Sequence, residues 1–173
     1  MNSWYVITGA PSSGKSTVID SLTLRGHKTL PEAARVILEQ DNAAGIPTEV
    51  SRADERAFQE RALKAKIDIE ASLPPEETIF MDRAVPDTVA YYRLYGWPED
   101  GLLAAALDGS HYRKVFILDR LPYRTDGIRV ETNESAAKLD RLLESVYREL
   151  GVPVERIPVM RHFDRVDLIL SKL

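Results

Sequence analysis

Residues 4–7, Trp-Tyr-Val-Ile, make a short apolar run that breaks after Thr8 into Gly9-Ala10-Pro11-Ser12-Ser13-Gly14-Lys15-Ser16-Thr17. No other stretch limits the fold so strongly. Gly9 and Gly14 permit backbone conformations that other residues avoid, so successive N–H groups converge on one point and form a nest for an anion. Lys15 adds a mobile point charge for β- and γ-phosphates, Ser16 a hydroxyl suited to Mg²⁺, and Thr17 a contact to an α-phosphate. The spacing is G-x-x-x-x-G-K-[ST], the P-loop, which needs a strand before it and a helix after it. Both are present, since Val18, Ile19 and Leu22 recur at helical spacing until Gly26 offers a stop. A glycine turn with no ligand is the competing reading, and this context disfavours it.

At 173 residues the chain can bury a core unaided, and it is read as one domain over 1–173. A net charge of −4 argues against a surface built to grip nucleic-acid phosphates, so no nucleic-acid partner is expected. The absence of cysteine excludes disulfides, thiolate nucleophiles and Cys-based metal sites. His27, His111 and His162 lie far apart in sequence and lack metal-ligand spacing. No apolar run is long enough to span a bilayer and no basic leader precedes the first strand, so a soluble cytoplasmic protein is expected.

Periodicity predicts helices over residues 32–40, 51–73, 86–95, 99–108 and 134–150, and a closing helix lined by Val166, Ile169, Leu170 and Leu173. Phe58, Ala62, Ala65 and Ile69 are expected to form the inner face of helix 51–73, leaving its Arg- and Glu-rich remainder solvated. Apolar runs that end in charge, at 78–83 and 114–118, read as buried strands, and 154–159 as the last. Strand and helix alternate throughout, which implies an α/β fold around a mostly parallel sheet. Ligands of such sheets bind at the carboxyl ends of the strands.

Charge collects at those ends. Asp82 is the natural acidic partner of the P-loop, holding Mg²⁺ directly or through water; capping of the following helix is its rival role. Arg83 either steadies a transferring phosphoryl group or orients an acceptor, or else forms a structural ion pair, perhaps with Asp87. Glu32 is placed to meet an acceptor hydroxyl as base or clamp, or to sit as a plain helix N-terminal carboxylate. Arg120, Arg124 and Arg129 fall in a polar stretch with the Asp126-Gly127 turn, expected to form a lid over 120–133 that brings guanidinium groups to a γ-phosphate. A solvated charged loop is the alternative there.

The combination of residues 9–17, Pro31-Glu32-Ala-Ala-Arg35, Asp82-Arg83-Ala-Val-Pro-Asp87 and Asp126-Gly-Ile-Arg129 resembles the small single-domain P-loop ATPases described as AAA domains. Through them it is similar to the ribosylnicotinamide kinase domain of bacterial NAD-biosynthesis regulators and, more distantly, to nucleoside and thymidylate kinases. The resemblance implies a three-layer α/β/α fold with a five-stranded parallel sheet, ATP and Mg²⁺ as cofactors, and catalytic Lys15, Glu32, Asp82, Arg83, Arg124 and Arg129. It also places the adenine near residues 158–161, with Arg120 and Arg161 toward the nucleotide. No second acidic residue stands beside Asp82, so ring-forming remodelling is not expected. The expected function is a Mg-ATP-dependent kinase acting on a small, hydroxyl-bearing, nucleoside-like acceptor. An acceptor pocket is expected around Arg35, Phe58, Tyr91 and Tyr92. The alternative is an ATP- or GTP-dependent switch acting through a protein or lipid partner, although no N-K-x-D guanine motif is present. The sequence leaves the oligomeric state open.

Overall fold

The computed structural model describes residues 2–109, 111–121 and 133–173. Strands β1 (Trp4–Thr8), β2 (Lys28–Leu30), β3 (Ile79–Asp82), β4 (Lys114–Leu118) and β5 (Val154–Ile157) pair in the order β2-β3-β1-β4-β5, every neighbour parallel. Helices α1 (Lys15–Leu24), α2 (Ala33–Ala43), α3 (Thr48–Ser51), α4 (Glu55–Ser72), α5 (Val85–Tyr95), α6 (Gly101–Gly109), α7 (Asn133–Glu149) and α8 (His162–Leu170) supply the crossovers and the covering layers.

Side chains alternate across a strand, and β1 shows what each face meets. Tyr5 and Ile7 enter a core with Val18, Ile19 and Leu22 of α1 and Val166 and Ile169 of α8. Trp4 and Val6 point the other way, into a cluster with Ile79, Val115, Ile117 and Tyr147 of α7. The next layer out, between α4, α5 and α7, is closed by Leu63, Val89, Leu139 and Leu143. All five residues of β1 are buried, as the centre of a doubly covered parallel sheet requires. This is the three-layer fold expected from the sequence.

Two expectations about the long helix need correction. The stretch 51–73 is not one helix. Pro47 opens the short α3, and Asp54 then caps α4, its Oδ1 accepting from the Ala57 N–H at 3.0 Å. The inner face of α4 is also rotated: Phe58, Gln59, Ala62, Leu63, Lys66 and Glu70 are buried, whereas Ala65 and Ile69 are only partly so. Each of Lys66 and Glu70 meets a polar partner inside. Lys66 Nζ donates to Thr88 Oγ1 at 3.0 Å, and Glu70 accepts from Val85 N–H at 3.2 Å and Tyr112 O–H at 2.7 Å. The lid expected over 120–133 falls largely outside the described residues, and Arg124 and Arg129 with it.

Candidate functional site

The register sets the site. Ile7 pairs with Asp82 on one side of β1 and Thr8 with Ile117 on the other, so three chain segments leave the sheet at one level. The first of them, residues 9–14, is a tight loop. Gly9 has φ 148, and a Cβ there would lie 2.7 Å from the Leu118 carbonyl oxygen and 2.8 Å from Ser13 Oγ, so no larger residue fits. Ser12 and Gly14 also have positive φ, at 64 and 86, which turns the loop back into α1. Ala10 and Ser13 are buried, while Pro11, Ser16 and Thr17 retain access to solvent.

Lys15 opens α1 and folds back over this loop. Its Nζ donates to the carbonyls of Gly9 at 2.9 Å and Ala10 at 3.2 Å, and to Ser13 Oγ at 3.4 Å. Burial, and then the neighbouring Arg83, push its ammonium pKa down to about 8. Ser16 Oγ accepts from Arg35 Nη2 at 2.9 Å, which ties α2 to the start of α1.

Asp82 closes β3 and is buried, and its Oδ1 has no hydrogen-bond partner among the described residues. Burial, followed by the charge of Glu32, raises its carboxyl pKa to about 6. It does not cap α5. That role belongs to Asp87, whose Oδ2 accepts from the Ala84 N–H at 3.1 Å. Asp87 is wholly buried and takes three more donors: Thr8 Oγ1 at 2.5 Å, Arg83 Nη1 at 3.0 Å and Tyr147 O–H at 2.6 Å. Burial alone would raise its pKa, but the Arg83 guanidinium and the other donors hold it below the ordinary value.

Arg83 thus makes the ion pair with Asp87 that was one of its two expected roles, and a second with Glu32, Nε to Oε1, at 2.8 Å. Its φ is 65, in the left-handed region. Glu32 occupies the cap position of α2 without a side-chain bond to that helix. Burial works to raise its pKa, yet Arg83, Lys15 and Lys66 together bring it below the ordinary value.

Beside this network opens a cavity of about 210 Å³, lined by Glu32, Arg35, Arg52, Phe58, Gln59, Lys66, Arg83 and Tyr91 among others. Of the residues expected around an acceptor, Arg35, Phe58 and Tyr91 line this cavity. Tyr92 does not: it is fully buried and packs edge-on against Trp97 at 5.7 Å, because successive residues of α5 point in different directions. Arg120 follows β4 at the same edge. Arg161 stands before α8, its side chain 86 % exposed and paired with Asp164.

One residue of this edge escaped the sequence reading. Arg165, in α8, is buried and donates to three carbonyls: Ser13 at 2.5 Å, Pro158 at 2.9 Å and Asp119 at 2.9 Å. It fastens the tight loop to the segments that follow β4 and β5. The available signal was an arginine embedded in the apolar pattern of the last helix.

A family model described as "AAA domain" matches residues 4–165. No curated protein matches by sequence. Among solved structures, the NadR protein in complex with NAD and AMP-PNP superposes with a TM-score of 0.67 at 18% identity, covering 97% of this chain and 48% of its own. This chain therefore spans about half the length of that protein. Thymidylate kinase from Ehrlichia chaffeensis superposes with a TM-score of 0.64 at 14% identity, covering 98% of each chain. Shikimate kinase from Acinetobacter baumannii in complex with shikimate gives 0.59 at 18%, covering 98% of this chain and 91% of its own. At these identities the likeness is one of fold, and the fold is that of P-loop kinases.

Proposed function

The chain belongs to the AAA domain family, and on that premise we propose that it is a Mg-ATP-dependent kinase that phosphorylates a small, hydroxyl-bearing, nucleoside-like acceptor. The observation that carries the reading is the adjacency of two compartments. The charges of Glu32 and Arg83 act on Lys15 of the P-loop, and the same two residues line a cavity of about 210 Å³. A switch that only binds and slowly hydrolyses a nucleotide needs the first compartment and has no use for the second.

In this reading Gly9, Ala10, Pro11, Ser12, Ser13 and Gly14 wrap the phosphates, and Thr17 meets the α-phosphate. Lys15 exchanges its contacts to the Gly9 and Ala10 carbonyls for β- and γ-phosphate oxygens. Arg165 keeps the loop closed by holding the Ser13 carbonyl. Ser16 and Asp82 would hold Mg²⁺, which would offset phosphate charge during transfer. The buried, partnerless Asp82 Oδ1 suits that task. Among the described residues no three His, Asp or Glu side chains gather into a cage, so phosphate oxygens and water would complete the metal's shell.

Glu32 acts as a clamp on the acceptor hydroxyl rather than as a strong base, since Arg83 keeps its carboxylate acidic. Phosphoryl transfer through a loose transition state asks little of a base and much of positioning. Arg83, and Arg124 and Arg129 from the proposed lid, meet the developing charge, while Arg120 and Arg161 lie toward the nucleotide.

The test is ADP release from Mg-ATP by purified protein, with and without a desalted pool of cellular small molecules, using Lys15→Ala as the blank. Strong stimulation by the pool, absent in the variant, is expected. Slow turnover indifferent to the pool would overturn the kinase reading and favour a nucleotide-dependent switch.

A further inference from the structure

The acceptor cavity carries more positive charge than its carboxylates answer. Its lining includes four cations, Arg35, Arg52, Lys66 and Arg83, and one carboxylate, Glu32. Glu32 is held by Arg83, and Arg52 is matched by Glu55 just outside the cavity at 2.7 Å. Arg35 and Lys66 remain. Arg35 lies at the exposed rim and makes its hydrogen bond to the neutral Ser16 hydroxyl.

Lys66 is the more telling of the two. It is 7% exposed, and its hydrogen bond goes to another neutral group, the Thr88 hydroxyl at 3.0 Å. An ammonium has three donors, so among the described residues two are unanswered. Among the described residues no carboxylate lies within ion-pair distance of it; Asp87, Glu32 and Glu70 favour its charge only from farther away. A buried lysine in this condition is expensive unless an anion completes it. Lys66 also borders a second pocket, but that one has only about 10 Å³, so the larger cavity is where such an anion has room. The flanking aromatic rings are already covered by cations, with Arg52 5.2 Å from the Phe58 centroid and Arg83 5.5 Å from that of Tyr91. The cavity walls are therefore cationic as well as aromatic.

We propose that the acceptor carries an anionic group, a carboxylate or a phosphate, which Lys66 binds at the floor of this cavity and Arg35 meets at its rim. The proposal rests on the kinase reading, in which this cavity receives the acceptor. A neutral polyol would leave Lys66 answered only by the more distant Asp87, Glu32 and Glu70, whereas an anionic acceptor would be selected by it.

Two measurements test this. The first titrates inorganic phosphate into protein saturated with Mg-AMP-PNP, so that the P-loop is closed to free anions, and follows binding calorimetrically. One further phosphate is expected to bind, at least tenfold more weakly in Lys66→Met. Lys66→Gln serves as a second variant that keeps a polar head without the charge, and the thermal midpoint of each reports that it is folded. No phosphate binding, or equal affinity in a folded variant, would overturn the proposal. The second measurement divides the small-molecule pool on an anion exchanger before the ADP-release assay. Stimulation is expected in the retained fraction. Stimulation confined to the flow-through would overturn the anionic acceptor and leave the kinase standing. No stimulation by either fraction would remove the kinase reading, and the phosphate titration would still decide whether Lys66 forms an anion site.

Discussion

Asp82→Asn is expected to make this protein more stable while it disables the site. The Asp82 carboxyl moves from an ordinary pKa of 3.8 to about 6 on folding, chiefly through burial and then through Glu32. At about 1.4 kcal/mol per tenfold change, ionised Asp82 weakens the fold by an amount on the order of 3 kcal/mol. Its attraction to Lys15 and Arg83, which the amide loses, is already included in that balance. Allowing for relaxation around the buried charge, the amide should gain roughly 1–3 kcal/mol near neutral pH, or a rise in Tm of roughly 3–9 °C for a chain of this size. The sign has a pH signature. Because the folded-state pKa lies above the unfolded one, the folded state binds the proton more tightly, and wild-type stability falls as pH rises from about 4 to about 6. The advantage of Asp82→Asn is therefore small near pH 4, grows by up to about 1.4 kcal/mol per pH unit, and levels off above about pH 6. Urea unfolding followed by tryptophan fluorescence, with buried Trp4 as reporter, would measure the difference across that range. ADP release in the same variant should fall sharply. A difference that stays flat with pH, or an amide variant less stable than wild type near neutrality, would refute the reasoning.

Two further substitutions separate backbone from side-chain effects. Gly9→Ala should remove more than about 3 kcal/mol, since its Cβ would meet the Leu118 carbonyl at 2.7 Å and φ is 148. Gly45→Ala, at φ 82 with no atom within 4 Å, should cost only about 1 kcal/mol; equal losses in thermal unfolding would contradict this account. Arg165→Met deletes the donors to Ser13, Pro158 and Asp119 and should cost about 2–4 kcal/mol. It should also raise KM for ATP, and an unchanged Tm with unchanged KM would show that the clamp is idle.

The sheet and the P-loop were legible because their signals are local. A strand needs only its own apolar run, and Gly9, Gly14 and Lys15 carry their constraints within nine residues. Asp82 was found by the same logic, as the charge that ends a buried strand. What stayed hidden depends on partners far along the chain. Arg83, four residues before Asp87, was within reach of the sequence reading, but the donors Thr8 and Tyr147 lie 79 and 60 residues away and no periodicity links them to it. Lys66 and Glu70 look like solvated helix residues until Thr88, Val85 and Tyr112 are brought against them. Arg165 failed for the same reason: its three acceptors are backbone carbonyls, which every residue has and no sequence advertises.

Arg83 holds a left-handed backbone, a conformation that costs a non-glycine residue on the order of 1 kcal/mol. Its guanidinium is gripped by Glu32 on one side and Asp87 on the other, and these ion pairs, with the backbone N–H of Arg83 donating to the Ile7 carbonyl at 3.1 Å, hold the residue there. The junction between β3 and α5 behaves as a sprung latch with two catches. Release of either catch lets residue 83 relax toward an ordinary conformation and turns the peptide that joins it to Asp82. On the proposed roles of Asp82 in holding Mg²⁺ and of Glu32 in clamping the acceptor, Glu32→Gln is therefore expected to weaken metal affinity as well as acceptor binding, although Glu32 does not touch Asp82.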